Sequence, residues 1–288
     1  MHKIVSHLIP AENVNMGGII VKQALPTQKV PQVDPYLLLH HGIFETRNDA
    51  PAKHQGIGPH PHRGFSPVTF VIEGEVHHRD SRGNNQIATQ GEVQWMNAGA
   101  GIVHSERPSQ DLVDREGHQE IIQLWINSPA AKKMKPAHYQ FLDNDAKTTF
   151  SSSDTLITNN LITGNYQNLN GNLRGESELL IIWANGQTNG IENYQIPVGY
   201  NAMLYLIKGE ISLKHYGIVG SQNLVVFSNE GSEIDVSIRE NAQYLILSGK
   251  PLNEKMVQQG PFVMNSETEI LEAMRDYQMG KMGILIEE

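Results

Sequence analysis

One heptapeptide occurs twice in altered form: Phe70-Val71-Ile72-Glu73-Gly74-Glu75-Val76 returns as Tyr205-Leu206-Ile207-Lys208-Gly209-Glu210-Ile211. Two further matches follow in the same order. Val93-Gln94-Trp95-Met96 is echoed by Leu224-Val225-Val226-Phe227, and residues 124–129 are echoed by 246–251. Ordered self-similarity of this kind means a duplicated unit. Within each copy, runs of β-branched and aromatic residues stop at Gly, Asn or Pro, which is the text of short strands joined by turns. With 26 Gly, 14 Pro and 18% charged residues, the composition suits such a turn-rich chain. The expected fold is all-β, with two antiparallel barrels.

The boundaries expected from the repeat are 1–142 for the first barrel and 173–288 for the second. Residues 143–172, dense in Asn, Ser and Thr, read as a linker or surface excursion. Near the C-terminus the period changes. Ser266-Glu267-Thr268-Glu269 is a capping box, and Ile270, Met274 and Tyr277 follow at helical spacing before Gly280. One amphipathic helix is predicted there, assigned to the second barrel.

Two short motifs in the first copy carry the chemistry: His60-Pro61-His62 and His104-Ser105-Glu106. Residues i and i+2 of a strand share a face. If the two pairs lie on neighbouring strands facing one interior, three imidazoles and a carboxylate converge, a donor set suited to a divalent first-row metal. Around an octahedral ion, four protein ligands leave two positions open, as catalytic sites require. Adjacent histidines behave differently, because neighbours point to opposite faces. At most one of His40 and His41 is expected to face the pocket, and the pair His77-His78 is expected at the solvent. Trp95 and Trp125 read as barrel packing. In the second copy the positions matching His60 and His62 are Gln195 and Pro197, and Glu233 and Asp235 stand without histidine. That barrel is expected to hold no metal.

The remaining composition excludes more than it proposes. The chain of 288 residues has 22 Lys plus Arg against 31 Asp plus Glu, a formal net charge of −9, which argues against a nucleic-acid surface. Cysteine is absent, which excludes thiol chemistry. There is neither a signal-peptide apolar region nor an apolar run of transmembrane length, so a cytoplasmic protein without membrane contact is expected. Lys132, Lys133 and Lys135 form a small basic cluster, expected to be a solvated surface.

These motifs together resemble the pirins, a family within the cupin superfamily. The matching text is 60–65 (HPHRGF), 91–96 (GEVQWM), 99–106 (GAGIVHSE) and 260–265 (GPFVMN), with Asp276-Tyr277-Gln278 downstream. The resemblance implies a bicupin of two jelly-roll barrels, the N-terminal one binding metal through His60, His62, His104 and Glu106. It implies one divalent ion, Fe(II) as first choice, with Mn, Co, Ni, Cu or Zn as alternatives. It further implies a quercetinase-type activity, the 2,3-dioxygenation of a flavonol-like aromatic substrate with O2 and release of carbon monoxide. Glu106 is then ligand and general base for the 3-hydroxyl. The alternative from the same resemblance is a metal-dependent regulatory protein acting through a protein partner, as a transcription co-regulator or a modulator of a metabolic enzyme. A monomer is implied in either case.

Overall fold

The computed structural model describes residues 1–287, whose regular elements are antiparallel β-strands, two α-helices and two 3₁₀ turns. They divide into two compact units. The first comprises residues 13–23, 36–144 and 253–288. Its seven-stranded sheet runs in the order His138–Leu142, Val93–Asn97, Phe65–Glu73, His118–Asn127, Tyr36–Glu45, Ile19–Leu25 and Glu12–Met16. Its four-stranded sheet runs Ile57–His62, Ile102–Arg107, Glu75–Asp80 and Asn85–Thr89.

The chain passes from the larger sheet to the smaller at Gly74. That residue has φ +78, and a Cβ there would stand 2.2 Å from the His118 carbonyl oxygen. Its partner in the repeat, Gly209, has φ +84 and an equally close neighbour, the Asn241 carbonyl oxygen at 2.1 Å. The repeat therefore preserves a glycine for a physical reason: a neighbouring backbone occupies the space of a side chain, in a conformation that L-residues avoid.

The predicted helix spans Glu267–Gln278, with Ser266 as N-cap accepting from the Glu269 amide at 3.3 Å. Glu269 reaches back one residue further than a capping box requires, to the Asn265 amide at 2.8 Å. Ile270 and Ala273 are buried with Val103, Phe262, Met264 and Met282, and Met274 packs against that cluster. Each such large side chain contributes about 1.5–3 kcal/mol. Tyr277 stays 40% exposed. The expected assignment of this helix to the second barrel is corrected. Residues 253–288 belong to the first unit, because Val103 of the strand Ile102–Arg107 supplies the apolar surface on which the helix closes.

The second unit comprises residues 1–12, 24–35 and 145–252, built on a nine-stranded sheet. The N-terminal strand Val5–Pro10 pairs with Asn223–Phe227, so the expected boundary at residue 142 is also corrected at the front of the chain. Nor is 143–172 a linker: Thr148–Ser151 pairs with Ile157–Thr163, which pairs with Leu179–Gly186. Its polar text is misleading because the asparagines find partners inside. Asn159 accepts from the Tyr194 hydroxyl at 2.6 Å, and Asn160 donates to the Trp183 carbonyl at 3.2 Å. Ile157, Leu161 and Ile162 are fully buried. In this unit Gln195 is exposed while its neighbours Tyr194 and Ile196 enter the core. Among the described residues no helix is long and apolar enough to cross a membrane.

Candidate metal centre

The strands Ile57–His62 and Ile102–Arg107 are hydrogen-bonded neighbours, with His60 opposite His104. Alternation turns His60, His62 and His104 to one side, and one nitrogen from each lies within 4.8 Å of the others. His62 and His104 are buried and His60 is half-buried. Glu106 does not join that 4.8 Å group. It is buried in the same unit, and its carboxylate accepts from Thr69 Oγ1 at 2.8 Å and Gln123 Nε2 at 2.6 Å. Trp125 Nε1 donates in turn to Gln123 Oε1 at 3.3 Å, which aims the amide. Trp125 and Phe65 also pack on His62, their ring centroids 5.3 and 5.0 Å away. They form an apolar wall beside the imidazoles.

The hydrogen bonds decide which nitrogens are bare. His60 Nδ1 lies 2.8 Å from the Gly58 carbonyl oxygen and His62 Nδ1 lies 3.4 Å from that of Pro261. Carbonyls only accept, so both Nδ1 atoms carry the proton and both Nε2 atoms are left as lone pairs. Those two Nε2 atoms face each other at 3.0 Å. Lone pairs at that distance repel unless a cation lies between them. Two nitrogens bound to one ion at ~2.1 Å and at right angles stand about 3 Å apart. His104 Nε2 is buried without a hydrogen-bond partner. Three imidazole lone pairs thus share a site that no donor of the chain satisfies, and the residues fit a divalent metal.

Burial is the main force holding the His62 and His104 imidazoles far below the ordinary histidine pKa, and repulsion from His60 adds to it. Both therefore stay neutral, as metal binding requires. His40, opposite Gln123, has Nε2 2.9 Å from Gln23 Oε1, and burial lowers its pKa to about 4. A depressed histidine pKa means that the unfolded chain binds a proton the folded one refuses. The folded state accordingly loses stability as pH falls from 6.5 towards 4. The metal-free protein is expected to melt at lower temperature at pH 5 than at pH 7. His40→Gln should flatten that dependence by about one proton, and an unchanged slope would contradict the assignment.

Several residues here escape sequence reasoning. His78, expected at the solvent, is 2% exposed and stacks on Tyr139 at 4.5 Å. The expectation treated His77-His78 as a unit, whereas His78 and Asp80 repeat the i, i+2 spacing of the ligand pairs. Lys133, expected in a solvated cluster, is 1% exposed. Its ammonium donates to the carbonyls of Gly64 at 2.7 Å and Val263 at 2.9 Å and to Asn127 Oδ1 at 2.5 Å. Burial lowers its pKa to about 8. In a second group of donors, Glu73, His118 and Glu120, two members are engaged in pairs with other side chains. His41 binds Glu120 at 2.9 Å, and Glu45 binds His118 at 2.9 Å.

Known proteins resemble this chain in both sequence and fold. Residues 18–126 match the Pirin family model, and residues 186–283 match that of the pirin C-terminal cupin domain. A Pseudomonas aeruginosa protein provisionally named quercetin 2,3-dioxygenase is 34% identical over 276 residues, 93% of each chain. A crystal structure of quercetin 2,3-dioxygenase from Acinetobacter baumannii matches with a TM-score of 0.91 at 30% identity, covering 99% of this chain and 100% of that one. A bacterial pirin from Escherichia coli, crystallised with nickel(II), shares the fold with a TM-score of 0.67 at 18% identity, over 85% of this chain and 99% of that one. With both halves matched in sequence and the whole chain matched in fold, this protein belongs to the pirin family.

Proposed function

We propose that the chain is a metal-dependent dioxygenase of the quercetin 2,3-dioxygenase type, opening a flavonol ring with O2. The observation that carries this reading is the convergence of three imidazole nitrogens, that of His104 buried without a partner, in one unit with an anchored carboxylate and an aromatic wall. His60, His62, His104 and Glu106 hold the ion. When bound, a divalent ion, Fe(II) by preference, supplies Lewis acidity towards the flavonol oxygens and redox chemistry towards O2. Trp125, partly exposed, offers flat apolar surface to the aromatic substrate, and the fully buried Phe65 packs behind it and against His62. Glu106 takes the proton of the 3-hydroxyl on its carboxylate, held in position by Thr69 and Gln123. The relatives' quercetin 2,3-dioxygenase names support the substrate class. Action through a protein partner at the basic cluster is less well supported, since Lys133 is buried.

Elemental analysis of the isolated protein, then anaerobic flavonol binding and O2 addition, tests the reading. One ion per chain and carbon monoxide release are expected. Metal-loaded protein that neither binds nor oxidises flavonol would sink it. Glu106→Gln should lower turnover by roughly 10²–10⁴-fold, the range for losing a general base. Undiminished turnover with metal content intact would remove Glu106 from that role.

A further inference from the structure

Behind His104 lies a chain of buried polar groups that the proposed reaction does not use. His104 Nδ1 is 3.4 Å from His78 Nδ1, and His78 Nε2 is 3.1 Å from Asp80 Oδ2. Asp80 is fully engaged as an acceptor. Its Oδ1 takes the backbone amides of Arg82 at 2.8 Å and Asn84 at 3.1 Å, and its Oδ2 also takes Asn84 Nδ2 at 2.7 Å. His78, Asp80 and His104 are exposed by 2%, 4% and 1%. Strand pairing places His104 directly opposite Asp80, and Tyr139 clamps the His78 ring by stacking.

The polarity of this chain follows from what each group can do. Asp80 spends both oxygens on donors, so His78 Nε2 must carry a proton. In a neutral imidazole that leaves His78 Nδ1 bare, able only to accept. His104 Nδ1 must then donate, which leaves His104 Nε2 as a lone pair. That is the atom found buried and without a partner.

We propose that Asp80 and His78 are positioning residues for the metal centre, a two-step hydrogen-bond relay that fixes the tautomer of His104 so that its Nε2 lone pair faces His60 and His62. The inference rests on the reading of those three histidines as ligands. His60 and His62 take their orientation from backbone carbonyls; His104 takes its orientation from the relay. Loss of a group that orients a metal ligand typically costs 10–100-fold in metal affinity.

Asp80→Asn is nearly isosteric and inverts the relay. With its oxygen kept by the Arg82 and Asn84 backbone amides, its NH2 group faces His78 Nε2, and the Asn84 side-chain amide turns to offer its oxygen in place of Nδ2. His78 then carries its proton on Nδ1 and donates to His104, whose own proton moves to Nε2 and blocks the ligand atom. His78→Asn places a carbonyl oxygen where Nδ1 was and still accepts from His104, whereas His78→Leu cannot. Two measurements on the full chain read this out. In metal-free protein, ¹⁵N imidazole spectra should show His104 protonated at Nδ1 in the wild type and at Nε2 in Asp80→Asn, the signal being assigned by its loss in His104→Asn. In titrations with Ni(II) alone, Asp80→Asn and His78→Leu should bind roughly 10–100-fold more weakly, while His78→Asn stays within about 3-fold of the wild type. A purely structural role for His78 would weaken both His78 variants alike and overturn the relay. So would wild-type His104 protonated at Nε2, or unchanged affinity in Asp80→Asn. If the wild type takes up no ion, the ligand reading falls, and the tautomer measurement still decides the relay.

Discussion

His104→Ala should leave a folded protein that retains no metal after desalting. The three imidazoles share one site, with nitrogens within 4.8 Å of each other, and His104 contributes the nitrogen that has no other partner. Apparent binding energies of about 10–16 kcal/mol for a four-ligand protein site imply roughly 3–4 kcal/mol per ligand, or on the order of 10²–10³-fold in affinity. The substitution also cuts the end off the Asp80–His78 relay and leaves His78 Nδ1 without its donor. Flavonol turnover should fall to background together with metal content, as measured by elemental analysis and CO release on the same sample. Circular dichroism separates this from unfolding. A variant that retains one tightly held ion would show that the metal lies elsewhere, and the functional proposal would go with it.

The second large effect is expected at Gly64, which no reaction touches. Its φ is +87, and a Cβ there would stand 2.0 Å from the Val263 carbonyl oxygen and 2.9 Å from Met264 Sδ. Gly64→Ala must therefore displace a backbone carbonyl that also accepts from the buried Lys133 ammonium. The same contact zone contains the bonds Val263 N to Arg63 O at 3.1 Å and Arg63 N to Pro261 O at 3.4 Å. The Pro261 carbonyl is the acceptor that fixes His62. Strain plus a disrupted buried network should cost about 3–5 kcal/mol in denaturant unfolding of the metal-free protein. Metal affinity should fall too, because His62 loses its anchor. Gly83→Ala is the control: its φ is +93, but nothing lies within 4 Å. It should lose only the left-handed penalty of about 1–2 kcal/mol. Equal losses at the two positions would mean that backbone conformation, and not contact with the C-terminal segment, sets the effect at Gly64.

The contrast between Gly74 and Gly64 shows where sequence reading succeeds. Gly74 is legible because Gly209 repeats it in the same local text, and both stand at the same kind of backbone approach. Gly64 has its reason in Val263, a residue distant in the chain, and nothing in its neighbourhood announces that contact. His60, His62 and His104 are legible for the first kind of reason. Alternation along a strand is a local rule, and it carries the three rings to one face. His78 is missed because the local rule was applied to His77-His78 as a pair, when the informative spacing was that to Asp80. Lys133 is missed because a lysine run reads as solvated surface unless the acceptors Gly64, Asn127 and Val263 are known.

The amino-acid sequence by itself thus determined the duplicated β-architecture, the helix start at Ser266 and the three histidines. These depend on side-chain period, turn chemistry and capping over a few residues. The tertiary structure alone decided that residues 253–288 close on the first barrel, that 143–172 is sheet, and which nitrogen of each histidine is bare. Those outcomes turn on burial and hydrogen bonds between segments far apart in the chain, where a donor's partner is set by three-dimensional proximity and not by spacing.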